Sequence, residues 1–380
     1  MAKDRVYEFS APGRVEIGGN HTDHQHGRVL AAAIDLTTNA SVCKNDDEVI
    51  RVFSQGYDPV EVYIHYLELH EAEKNTTVAL VRGVSAAFVQ RGCPIGGFDA
   101  RISSTVLPGS GLSSSAAFEV LMGRIINGLY FENRLSPVEI AQIGQYAENV
   151  YFGKPCGLMD QMGSSVGGCV AIDFADPAEP AVERVGYDFS RCGHAMCIVD
   201  TGSCHADLTD DYAAIPAEMG AVAACFGMRT LREVTEERFL TALPTVRAAC
   251  GDRAVLRAMH FYEEDRRAAE EAQALARGDF GDFLRLVNES GLSSSLHLQN
   301  IWSPAAPREQ AVTVALAVGS RLLDGTGAIR VHGGGFAGTI QAFVPLERLE
   351  RFRAGMEVML GQGKCHVLRI RPQGGCVVAE

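Results

Sequence analysis

The stretch Pro108-Gly109-Ser110-Gly111-Leu112-Ser113-Ser114-Ser115-Ala116 puts glycines and hydroxyls directly ahead of an apolar periodic segment. Glycines let a backbone approach a phosphate closely, and a following helix offers unpaired N–H groups at the positive end of its dipole. The serine hydroxyls add donors or a magnesium ligand. The same letters also make an ordinary Gly/Ser loop with a serine helix cap, so the loop alone leaves both readings open. No GxxxxGK[ST] occurs anywhere in the chain, which excludes a Walker-type NTPase loop.

Three further segments carry chemistry. Gly333-Gly334-Gly335-Phe336-Ala337-Gly338 satisfies GxGxxG, but Thr339-Ile340-Gln341-Ala342-Phe343-Val344 after it has strand rather than helix character. A dinucleotide fingerprint must open a helix, so a glycine turn between strands is what remains. Asn20-His21-Thr22-Asp23-His24-Gln25-His26 packs imidazoles and a carboxylate together, without the spacing of a closed zinc site. Such a polar loop suits a polyhydroxylated ligand, whose every hydroxyl needs a partner, and equally a solvated surface loop. Gly157-Leu158-Met159-Asp160-Gln161 sets a carboxylate among apolar residues, where it is either a general base or a cap.

The elements that must position these groups are read from periodicity. Residues 6–9 and 14–17 alternate like strands around Ser10-Ala11-Pro12-Gly13, a turn signal. Asn75 or Thr76 is the expected cap of a helix carrying Val78, Val81, Val84 and Phe88. Phe98, Ala100 and Ile102 share one face of a strand, and the Gly/Ser loop feeds a helix with Ala117, Val120, Leu121 and Ile125. Ser136-Pro137-Val138-Glu139 is a capping box opening a helix to about Phe152. A second half starts near Gly193, with an apolar strand over 195–199, helices over 206–222 and 255–275, and strands over 328–331 and 339–344. Strands and helices that mix without strict alternation predict an α+β fold of two lobes, with a ligand cleft between them.

Apolar residues are 47% and charged residues 21% of the 380, enough for full cores, which rules out a disordered chain. Lys+Arg 34 against Asp+Glu 47 gives 34 − 47 = −13, which argues against nucleic acid or an anionic membrane as partner. The N-terminus lacks a signal-peptide core and no long apolar run follows, so a cytoplasmic protein is expected. Eleven scattered cysteines without a CxxC fit reduced, buried thiols.

Taken in order, these segments resemble the galactokinase branch of the GHMP small-molecule kinases. Ala11-Pro12-Gly13-Arg14-Val15 with His21-Thr22-Asp23 is similar to the family's sugar signature, 107–117 to its phosphate loop and 328–338 to its C-terminal glycine motif. Pro155-Cys156-Gly157-Leu158-Met159-Asp160-Gln161 is close to its PCGxMDQ. Segments 200–212 and 263–269 and Asn288-Glu289-Ser290 also fall in family order, so the resemblance spans nearly the whole chain.

The resemblance implies an N-terminal GHMP domain over 1–192, a C-terminal one over 193–380 and an active site in the cleft between lobes. It implies ATP- and Mg²⁺-dependent phosphorylation of the anomeric hydroxyl of a galactose-type sugar. Asp160 matches the catalytic base and Arg14 the cation beside it; Ser115 and Glu148 match the magnesium ligands. Gly109, Ser110, Gly111, Leu112, Ser113, Ser114 and Ser115 match the phosphate loop, and Asn20, His21, Asp23, Gly157 and Tyr212 the sugar contacts. The expected partners are a sugar and a nucleotide, with the chain a monomer or weak oligomer. Asn20 stands where the family usually has Glu, His24-Gln25 where Tyr-Asn is common, and His332 where Thr is common. Asp-His-Gln here is similar to kinases of galacturonic acid, so galacturonate is the alternative substrate. A non-catalytic sugar and nucleotide sensor is a further alternative, but the intact serine loop, Asp160 and Arg14 argue against it.

Overall fold

In a computed structural model of the chain, residues 5–107, 111–202 and 208–379 are described. Chain order is β1 (Tyr7–Gly18), β2 (Arg28–Lys44), β3 (Val49–Ser54), β4 (Val60–Tyr63), α1 (Thr77–Gln90), β5 (Phe98–Ser104), α2 (Ser114–Tyr130), α3 (Pro137–Tyr146) and α4 (Met159–Val166). There follow β6 (Cys169–Asp173), β7 (Ala181–Val185), β8 (His194–Asp200), α5 (Thr209–Ala224), α6 (Glu236–Thr241), α7 (Leu243–Cys250), α8 (Asp252–Ala276) and α9 (Phe280–Ser293). The chain closes with α10 (Ala311–Leu323), β9 (Ala328–His332), β10 (Thr339–Pro345), α11 (Leu349–Leu360), β11 (Cys365–Leu368) and β12 (Cys376–Ala379).

Two compact units divide the chain: Met1–Arg14 with Ala32–Gly168 and Ile370–Glu380, and Val15–Ala31 with Cys169–Arg369. They interleave along the sequence, whereas the family-type domains at 1–192 and 193–380 remain a proposal about a contiguous division. In the first unit β1 pairs antiparallel with β12 (Phe9↔Val377), and β2 with β5 (Ala40↔Ile102). β3 runs parallel to β5 and antiparallel to β4. Val81, Val84 and Phe88 of α1, Val120, Leu121 and Ile125 of α2 and Ile140 of α3 cluster with Phe98, Ala100 and Ile102. The predicted starts hold: the Thr76 side chain accepts from the Ala79 N–H, and Ser136 and Glu139 form the capping box with Pro137 at the first turn. Past α3 the helix widens into π-type turns over Ala147–Phe152, which carry Glu148.

One expectation is corrected. Ser10-Ala11-Pro12-Gly13 is not a turn, because β1 runs unbroken from Tyr7 to Gly18. Pro12 has no N–H to donate, but its carbonyl accepts from Ser164 Oγ at 2.7 Å. A Cβ on Gly13 would lie 2.9 Å from the Leu112 carbonyl oxygen, so the glycine serves a close packing contact rather than a reversal.

The second unit holds the antiparallel sheet β11-β8-β10-β9, with Ile340 opposite both Val199 and Val331. Val199, Val331, Ile340 and Ala342 pack with Val312, Phe352 and Met356 of the helices. The 333–338 segment joins strand to strand, and Gly333, Gly335, Phe336 and Gly338 all have positive φ. The glycines meet that requirement without strain, which confirms the tight strand-to-strand connection. Among the described residues no helix is long and apolar enough to cross a membrane.

Candidate active site

Asp160 sits in the first turn of α4, where a carboxylate complements the helix dipole. Arg14, near the middle of β1 and only 5% exposed, reaches it with Nε at 2.8 Å and Nη2 at 2.5 Å, both to Oδ1. Oδ2 accepts from Ser113 Oγ. The third Arg14 nitrogen, Nη1, donates to the Gly111 carbonyl at 2.6 Å, and the Arg14 main-chain N–H donates to Leu112 O at 3.2 Å. Arg14 therefore fastens the glycine-serine loop and the carboxylate to one strand. Burial alone would raise the Asp160 carboxyl. The Arg14 charge, the Ser113 and Arg14 hydrogen bonds and Lys154 outweigh it, leaving the group below its ordinary range and ionised. About 28% of the side chain stays exposed, so a ligand hydroxyl can reach it.

Gly109 and Ser110 lie outside the described residues. Gly111 and Ser113 both take positive φ, turning the chain sharply into α2, which begins at Ser114. Ala117 N–H closes the first helical bond, to Ser113 O, so the amides of Ser114, Ser115 and Ala116 have no intrahelical acceptor. Leu112 is buried and anchors the loop from within. Ser113, expected in the phosphate loop, makes no helix cap; its hydroxyl is on Asp160.

Beside this lies a carboxylate group. Ser115 Oγ is 3.4 Å from Glu148 Oε1, and Lys154 Nζ is 3.0 Å from the same oxygen. Gln161 Nε2 bridges Glu148 Oε2 at 2.8 Å and Glu119 Oε2 at 2.9 Å. Burial, then the Glu148 charge, push the Glu119 carboxyl well above the ordinary carboxylate range. Glu148 keeps one carboxylate oxygen beside a hydroxyl and a cation. Two oxygens on one Mg²⁺ lie at most about 4.2 Å apart, twice a 2.1 Å bond, so Ser115 and Glu148 fit a shared ion. Gly157 is in the half-buried loop just ahead of α4.

The other expected sugar residues belong to the second unit. Asn20 is fully buried, and every hydrogen-bonding atom of its amide is engaged by protein. Nδ2 donates to Glu16 Oε1 (2.9 Å) and the Gly333 carbonyl (2.6 Å), while Oδ1 accepts from Asn300 Nδ2 (2.9 Å) and Ser294 Oγ (3.4 Å). This corrects the expectation that Asn20 presents its amide to a ligand. Around it, Glu16 pairs with the fully buried Arg330 at 2.5 Å. Glu264 accepts from the Gly19 and Asn20 N–H groups and from Ser290 Oγ. Burial opposes its charge, but Arg267, His260, Arg330 and Ser290 hold Glu264 down at about 2.

His21 belongs to a chain of hydrogen bonds with one polarity. Gln25 Oε1 accepts from Leu231 N–H at 3.0 Å, so the Gln25 NH₂ faces His24 Nδ1 at 3.4 Å. His24 must then carry its proton on Nε2 and donate to His21 Nδ1 at 3.3 Å. His21 in turn donates from Nε2 to the Gly334 carbonyl at 3.0 Å. Burial pulls His21 down to about 4 and His24 well below its ordinary value, so both rings are neutral. Asp23 Oδ1 accepts from His24 N–H at 2.9 Å. Tyr212 in the first turn of α5 donates to the Gly335 carbonyl at 2.7 Å, and its ring covers Gly334, where a Cβ would sit 2.2 Å from Tyr212 Cε1. His21, Asn20 and Tyr212 thus converge on the 333–335 turn.

Sequence patterns assign no role to Lys154, Glu119, Glu16, Arg330, Glu264 or Asn300. Gln161 has a signal, its place directly after Asp160; the buried charges have none that separates them from surface residues.

Comparison with known proteins places the chain among small-molecule kinases. The family model for the GHMP kinases N terminal domain matches residues 78–168, and that for the galactokinase galactose-binding signature matches residues 2–44. A galactokinase of Mannheimia succiniciproducens is 32% identical over 347 residues, covering 90% of this chain and 86% of that protein. One from Actinobacillus pleuropneumoniae is 32% identical over 353 residues with the same coverage. Among solved structures, Lactococcus lactis galactokinase complexed with galactose superposes with TM-score 0.82 at 23% identity, covering 98% of this chain and 95% of that one. A mevalonate kinase superposes with TM-score 0.67 at 16% identity, covering 97% of this chain and 100% of that one.

Proposed function

Because this chain belongs to the galactokinase family of the GHMP kinases, we propose that it transfers the γ-phosphoryl group of ATP to the anomeric hydroxyl of galactose, giving galactose 1-phosphate. The observation that carries the reading is the ionised Asp160, fixed by two hydrogen bonds from Arg14 and one from Ser113, the residue that leads the glycine-serine loop into the N-terminus of α2. A sugar hydroxyl is a poor nucleophile and phosphoryl transfer asks mainly for in-line placement and neutralised charge. Asp160 accepts the hydroxyl proton as a hydrogen bond and so orients the oxygen lone pair. A carboxylate with a depressed pKa is a weak base, so proton transfer comes late, when the forming P–O bond has made the hydroxyl acidic. Arg14 keeps Asp160 charged and offsets negative charge as it develops.

The amides at the start of α2, with the loop before it, are the proposed phosphate cradle. Ser115 and Glu148 are the proposed magnesium ligands, and the ion would neutralise phosphate charge when bound. His21, Asp23, Gly157 and Tyr212 are the proposed sugar contacts; support comes from the galactose-binding signature over residues 2–44 and from PCGLMDQ. Asn20 is assigned a supporting place, holding the glycine turn rather than a sugar hydroxyl. A cytoplasmic setting fits the ATP requirement and eleven cysteines without a CxxC pair.

A panel of galactose, galacturonate, arabinose and galactosamine with Mg-ATP tests the proposal, reading ADP release and the position of the new phosphate. Galactose should give the highest kcat/KM with the phosphate on C1. Faster turnover of galacturonate would remove the substrate assignment and leave the kinase. Sugar binding without turnover of any of them would replace the kinase with a sensor.

A further inference from the structure

Among the described cysteines Cys225 is the one exposed to solvent, and its sulfur lies 3.4 Å from that of Cys250, which is half-buried. Cys225 follows the last residue of α5 and Cys250 ends α7. Both helix ends are held by one apolar cluster, with Val222 and Ala223 of α5 packing in the same core as Val246 of α7. Two thiols thus face each other at the rim of a fixed core, and a bond length near 2.05 Å asks the sulfurs to close by about 1.4 Å. The established chemistry of the chain uses neither residue.

We propose that Cys225 and Cys250 form a reversible redox site, a dithiol that low-molecular-weight disulfides convert into an intramolecular disulfide joining α5 to α7. The exposed Cys225 thiolate attacks one sulfur of the small disulfide, which breaks the S–S bond and releases one small thiolate that takes up a proton. Cys250 then attacks Cys225 Sγ, breaks the mixed disulfide and expels the second small thiol, which carries away the Cys250 proton. Two protein thiols are oxidised and one small disulfide is reduced to two thiols, so atoms and electrons balance. Burial first, then the hydrogen bond to and charge of Cys225, push the Cys250 thiol up to about 11. Forming the mixed disulfide removes the Cys225 charge, so the first step prepares Cys250 for the second.

The molecule contains a contrast for this site. Cys197 of β8 and Cys365 of β11 also hydrogen-bond to each other, but both are buried within the sheet and out of reach of a small disulfide. The bond at Cys225 would fasten the C-terminal end of α5, the helix whose first turn carries Tyr212.

The test incubates the fully reduced chain with oxidised glutathione, caps remaining thiols and maps the digest by mass spectrometry. The expected product has nine free thiols in place of eleven, one linked peptide joining Cys225 to Cys250, and full reversal by a dithiol reductant. The bridged form should also unfold at a higher temperature, because the link shortens the unfolded chain's freedom. Cys250→Ser should stop at a glutathione adduct on Cys225, and Cys225→Ser should form no bridge. A wild-type chain that keeps glutathione on Cys225 without the linked peptide would overturn the proposal. So would a first bridge at any other pair, or no loss of thiols.

Discussion

Replacing Asn20 with Glu puts the reassignment of this residue to a direct test. The NH₂ of Asn20 satisfies Glu16 Oε1 at 2.9 Å and the Gly333 carbonyl at 2.6 Å, inside a fully buried pocket. Glutamate keeps an acceptor toward Asn300 but removes both donors. Glu16 Oε1 still accepts from Arg330 Nη2, so the Gly333 carbonyl is the acceptor left without this donor, at a cost of about 1–3 kcal/mol. A second carboxylate against Glu16 adds repulsion or forces protonation at a further cost. The expected outcome is a thermal midpoint lower by about 2–12 °C, read by differential scanning fluorimetry or calorimetry. Asn20→Asp, which loses the same donors without the extra length, should fall in the same direction. In the fraction that stays folded, the ratio of kcat/KM for galactose over galacturonate should change by less than about threefold, because the residue does not select the sugar. An Asn20→Glu protein of normal stability whose ratio rises tenfold or more would refute this reasoning and return Asn20 to the sugar.

Other expectations follow from the same contacts. Arg14→Ala should lower kcat by at least ~10² and bring an acid limb into the pH–rate profile, since it removes a cation that holds Asp160 down; an unchanged acid limb would contradict that electrostatic role. Glu148→Gln should raise the magnesium concentration for half-maximal rate about tenfold at fixed ATP, and an unaltered requirement would remove Glu148 from the metal. His21 has a folded pKa of about 4 against an ordinary 6.5, so the unfolded chain binds its proton first as pH falls. Stability should therefore be full above pH 6.5 and drop toward pH 4, with His24 and His260, also lowered by burial, adding in the same direction. Thermal midpoints between pH 4.5 and 7.5 should show a shallower slope in His21→Gln; an equal slope would show that His21 is not buried neutral.

Much of this architecture is legible in the sequence. The Thr76 cap, the Ser136 capping box and the β9–turn–β10 order all follow from local chemistry, and all are present. The Pro12-Gly13 reversal fails because proline and glycine also serve close packing, and only the neighbouring Leu112 carbonyl distinguishes the two uses. The interleaving of the units is not legible, since residues 15–31 join their unit through contacts remote in sequence. Asp160, Arg14, Ser115 and Glu148 stand out through motif resemblance, and each pair is within hydrogen-bond reach. What sequence does not show is where hydrogen bonds end: that Ser113 turns to Asp160, and that Asn20 is saturated by Glu16, Gly333 and Asn300. Side-chain destinations depend on tertiary neighbours and leave no local pattern.

At the centre of the proposed mechanism an ionised Asp160, held by Arg14 and Ser113, orients the attacking hydroxyl. Asp160→Asn is close in shape and can still accept from Arg14 and donate to Ser113, so the fold has little reason to change. Single-turnover measurement with Mg-ATP and galactose should give a chemical step slower by at least ~10², with nucleotide affinity within about threefold and an unchanged thermal midpoint. A phosphoryl-transfer rate close to that of the unaltered chain would contradict the account at its centre.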